Sequence, residues 1–119
     1  MEDFILREID KIGVMLAKIA QKLGLLEVDS PDYSLAEVKE ECDKVNLPFD
    51  LDEVLQQENP VCYLVEDKKI SDQGLETLTE ILFFSDMDEE RKKVLLADTL
   101  TYLDGKGFYS FRLHSLSGE

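Results

Sequence analysis

His114 is the only histidine in the 119-residue chain, so any histidine-based triad has to use it. Its neighbours include Arg112 and Ser115 but no acid, the setting of a surface histidine. The densest carboxylate run is Asp86-Met87-Asp88-Glu89-Glu90. It lacks the alternating acids, the glycine and the distant Glu of a calcium loop. Acids at a helix start are better explained as partners for the positive end of the helix dipole. The chain has 27 acidic residues, yet no spacing singles out a pair for glycoside cleavage. Gly105, Gly107 and Gly118 form no phosphate loop, because no Gly-Lys-Ser/Thr follows a strand. Cys42 and Cys62 lie twenty apart, match no zinc spacing and have one histidine for company. They read as small apolar thiols on helix faces, with a redox pair as the alternative. Tyr63, Phe83, Phe84, Tyr102, Phe108, Tyr109 and Phe111 read as core rather than as a stacking platform for bases. No side chain is therefore nominated as catalytic, cofactor-binding or metal-ligating.

Charge narrows the partners. The net charge is −14, and it is unevenly spread. Residues 1–24 and 89–119 are each neutral, while 25–60 carry −9 and 61–88 carry −5. An acidic middle repels phosphate, which argues against nucleic acid and against an anionic membrane surface. Either solubility or a basic protein partner accounts for it. Hydrophobic residues make up 44% of the chain, enough for a core. The helical stretch from Asp3 to Leu23 is broken by six charged side chains from Arg7 to Lys22, too many for a membrane span. Met1-Glu2-Asp3 has the wrong polarity for a secretory leader, so a cytoplasmic location is expected.

The elements are helices. Ile5, Ile9, Ile12, Leu16, Ile19 and Leu23 follow spacings of 4, 3, 4, 3 and 4, an a/d seam on a helix over 3–24 that Gly24 stops. Phe4, Leu6 and Met15 lie off the seam and are the candidate contacts for a partner or a second copy. Ser34 to Glu37 is a capping box for a helix that ends near Asn46. Asp50 and Asn59-Pro60 each start a short helix. Ser71 or Asp72 opens a helix to about Ser85, and another runs from about Asp88 to Asp104. So short a link predicts an antiparallel hairpin over 72–104, on which the seam should pack. The tail 108–119 fits either a short helix capped by Ser110 or a lone strand. The sum is an all-α domain over 1–119 with six or seven helices, the long N-terminal helix packed on antiparallel hairpins.

The runs Phe4-Ile5-Leu6-Arg7-Glu8-Ile9 and Ile12-Gly13-Val14-Met15-Leu16-Ala17-Lys18-Ile19 resemble the first helix of small helical proteins of gut bacteria (Bacteroidales-type). Leu75 to Leu82, Leu95 to Leu100 and Phe108 to Arg112 are similar to later parts of the same proteins. The resemblance implies hairpins arranged as in tetratricopeptide repeats (TPR-like) and implies no catalytic residue. True repeats have a 34-residue period with Trp, Gly, Tyr, Ala and Pro at set places. This chain has no Trp, and Ser34 and Ser71, the capping residues, lie 37 apart. The functional expectation is a non-enzymatic interaction or scaffold module without cofactor. A second copy through the N-terminal helix is one possible partner. The alternative is a small hydrolase using surface carboxylates.

Overall fold

The computed structural model describes residues 10–25 and 33–118. Ile5, Ile9, Phe4 and Leu6 lie outside them. Seven helices follow in order: α1 (Lys11–Lys22), α2 (Leu35–Val45), α3 (Leu51–Gln56), α4 (Pro60–Cys62), α5 (Asp72–Phe83), α6 (Glu89–Gly105) and α7 (Phe111–Leu116). A π-helical turn, Tyr63–Asp67, continues α4. No strand occurs among the described residues. The tail takes the helical option, with Ser110 Oγ accepting the Leu113 N–H, and no partner strand occurs among the described residues.

Local chemistry sets most helix starts. Ser34, Asp50, Asn59, Ser71, Asp88 and Ser110 each accept a backbone N–H two or three residues ahead. Pro60 stands at the first position of α4, where its missing N–H costs nothing. Asn46 ends α2 in the left-handed region at φ 56°. Asp88 caps α6, and, one residue on, Glu89 pairs with Lys92, 3.4 Å away.

The hairpin of α5 and α6 is antiparallel. Asp72 meets Lys106, Thr79 Oγ1 lies 3.0 Å from Thr99 Oγ1, and the Lys92 ammonium lies over the Phe83 ring. α1 packs against α5 and α2, so the first arm of the hairpin carries the described part of the seam, Ile12 to Leu23. The two helices meet closely at Gly74, where a Cβ would lie 3.5 Å from Gly13 Cα and 3.1 Å from Ser71 Oγ. Ser71 Oγ also donates to the Asp10 carboxylate beside this crossing. One buried cluster draws on every helix, from Leu16 and Ile19 through Val38, Val54 and Leu64 to Leu78, Leu103 and Leu113.

Burial along the seam is unequal. Leu16 and Ile19 are fully buried, whereas Ile12 and Leu23 pack at the edge of the core. Replacing Leu16 with Ala is expected to cost ~2–5 kcal/mol in urea unfolding, and Ile12→Ala less. A Leu16→Asp variant should fail to fold as a monomer. Thermal melting with sedimentation checks this, and a folded, monomeric Leu16→Asp protein would contradict intrachain packing of the seam.

Candidate functional site

The strongest pair of converging carboxylates lies on α5. Glu76 and Glu80 are one turn apart, and both are largely withdrawn from solvent. Arg112, from α7, lies between them, with Nη2 3.2 Å from Glu76 Oε1 and Nη1 3.1 Å from Glu80 Oε1. Ser110 Oγ, the cap of α7, donates to Glu76 Oε2. Burial pushes the Glu80 carboxyl up, Arg112 opposes that, and Glu76 adds to it. The pair thus has one property of an acid–base site. Both Glu76 oxygens are nevertheless hydrogen-bonded to α7, whereas Glu80 Oε1 is buried and meets Arg112 as an ion pair without a hydrogen bond. These contacts, with the fully buried Leu113, fasten α7 to α5. No spacing singled out Glu76 and Glu80 among the 27 acids. The guanidinium that binds them is more than thirty residues away in sequence, and only the fold brings it there.

His114 is less isolated than its sequence neighbours suggested. Its Nε2 lies 3.2 Å from Asp104 Oδ1, and its ring stacks on Tyr109 with centroids 4.6 Å apart. The end of α6 supplies the acid that the local sequence lacks. Ser115 Oγ donates to the Phe111 carbonyl and Ser117 Oγ to the His114 carbonyl. Both hydroxyl protons are spent on the helix backbone, so the arrangement is not a poised nucleophile.

The acid run around residue 88 is divided between two helix starts. Asp88 caps α6, while Asp86 Oδ1 accepts the Leu35 N–H at 2.7 Å and so holds the start of α2. No group of three or more metal-binding side chains occurs among the described residues. Cys42 is buried and its thiol is pushed up to about 11, chiefly by burial. Cys62 is exposed rather than on an apolar face, and it donates to Glu66 at 3.2 Å.

Two hollows flank the outer face of α6. One, of 520 Å³, lies towards α7. Phe83, Leu96, Leu100 and Leu116 line it, with Glu89, Lys93, Asp104 and His114 among the polar residues. The other, of 270 Å³, lies towards α3 and α4. Leu55, Pro60, Met87, Val94 and Leu95 line it, with Arg91 and several carboxylates. Val94 is 59% exposed and Arg91 donates to the Leu55 carbonyl there. Neither hollow is lined by Glu76 or Glu80. Of the predicted contact residues, Met15 is half-buried on α1 next to the exposed Val14, and Phe4 and Leu6 fall outside the described residues. Sequence patterning did not single out Val94.

No protein-family model matches the chain, and no curated protein and no solved structure is similar to it. Among the described residues no helix is long and apolar enough to cross a membrane.

A neutral Glu80 is favoured by the fold, so the folded state holds its proton to higher pH than the unfolded chain does. The stability of the wild type relative to Glu80→Gln should therefore fall as pH rises through and just above the ordinary glutamate range. It should level off once Glu80 is ionised in both states. Urea titrations of the two proteins across that range measure the difference, and a rise with pH would contradict the burial argument.

Proposed function

We propose that this chain is a non-enzymatic protein–protein interaction or scaffold module. The observation that carries the proposal is the outer face of α6, where an exposed Val94 lines one of two hollows with apolar linings. Exposed apolar surface in a concave setting is the usual form of a docking site. The hydrolase alternative has a candidate pair in Glu76 and Glu80, and Arg112 and Ser110 already occupy it. A TPR-like succession of hairpins belongs to the same proposal, with α5 and α6 as the hairpin that supports it. So does a cytoplasmic location, which the free thiols of Cys42 and Cys62 suit. Met15, with Phe4 and Leu6, is assigned to a further contact with a protein partner or a second copy.

Two experiments test the module against the enzyme. Affinity capture from native extract with the full chain should retain a protein partner in stoichiometric amount. A hydrolase panel should give no turnover that depends on Glu80. Activity that survives purification and is lost in a folded Glu80→Gln variant would overturn the proposal.

A further inference from the structure

The hollow between α3, α4 and α6 is more acidic than its counterpart. Beyond it, α4, the π turn and α6 enclose a second hollow of 280 Å³, and Asp98 lines both. Val61, Val65 and Tyr102 supply apolar surface to this extension. The two hollows adjoin at Asp98, making an interrupted furrow along α6. Its carboxylates are Glu58, Glu66, Asp88, Glu90 and Asp98. None of the five forms an ion pair among the described residues. Arg91 is the only cation lining the furrow, and its guanidinium is held by the Leu55 carbonyl. Lys92 pairs with Glu89, and Lys106 lies over the ring of Tyr102, a lining residue, with Asp72 at 4.0 Å. The hollow towards α7 is nearer to balance, with Lys93 beside Glu89 and Asp104.

We infer that this furrow seats a basic amphipathic segment of a partner protein, one whose apolar side chains are flanked by Lys or Arg. The inference rests on the interaction-module proposal and names the partner's chemistry. Apolar side chains fill the space beside Val94, Pro60 and Val65. The flanking cations neutralise carboxylates that form no ion pair among the described residues, of which Glu58, Glu90 and Asp98 line the furrow beside the capping Asp88 and the thiol-bonded Glu66. An acidic segment is repelled by the same groups, so the furrow discriminates by sign as well as by shape.

The probe is a labelled helical peptide with Leu on one face and Lys along its flanks, compared with a twin carrying Glu for every Lys. Fluorescence polarisation with the full chain should give saturable binding to the basic peptide, weakening as salt rises, and none to the acidic twin. Glu90→Lys with Asp98→Lys should weaken binding by at least ~10-fold. Val94→Asn should weaken it without a change of charge. Ala97→Asn, in the hollow towards α7, should leave it unchanged. All four positions lie on the outer side of α6, and circular dichroism confirms the fold of each variant. No saturable binding, equal binding of the twin, or full binding by Val94→Asn or by the charge-reversed variant would overturn the inference. A natural partner that still binds the charge-reversed protein would leave the module proposal standing and remove this furrow as its seat.

Discussion

Burial of α5 on nearly every side is the constraint that arranges the molecule. Eight of its twelve residues are buried, and they include Thr77, Thr79 and Glu80 as well as Leu75, Leu78, Ile81 and Leu82. A helix so enclosed cannot turn its polar groups to water, so each neighbour has to meet one of them. α6 brings Thr99 to Thr79. α7 brings Arg112 to Glu76 and Glu80. Tyr33 donates its hydroxyl to the Ile81 carbonyl at 2.7 Å, and burial, with Glu80 second, pushes that hydroxyl's pKa up. Apolar packing supplies the attraction, and these polar meetings fix which helix lies where.

The same constraint separates structural from available chemistry. The buried carboxylates of α5 are spent on internal attachment. On α6, the exposed Glu90 and the half-buried Asp98 form no ion pair among the described residues. An acidic protein can therefore hold its charge in two states, one neutralised inside and one offered outside. The −14 of the whole chain conceals that difference.

Much of the fold was legible in the residues because it is locally encoded. Ser34, Asp50, Asn59, Ser71 and Asp88 cap helices where their side chains announce a start, and the short link at 85–88 produces the hairpin. What sequence could not give was long-range. Asp86 serves the start of α2 across 51 residues, and Arg112 reaches Glu76 across 36. The tail was ambiguous for the same reason. Alternation in Tyr109 to His114 suits a strand, and only the lack of a pairing edge among the described residues, with Leu113 drawn into the core, decides for helix. The furrow was less visible still, since its apolar and acidic residues come from separate helices and share no motif.

α1 differs from the other helices in how its start is held. Asp10 makes no side-chain cap to its own helix, and its carboxylate instead accepts from Ser71, 61 residues further on. During synthesis α1 therefore leaves the ribosome well before the residue that secures it. Leu16 and Ile19 have no α5 to bury them over that interval, and their exposed stripe is a surface that chaperones or other nascent chains can bind. Translation speed between α1 and α5 then sets how long that surface is presented.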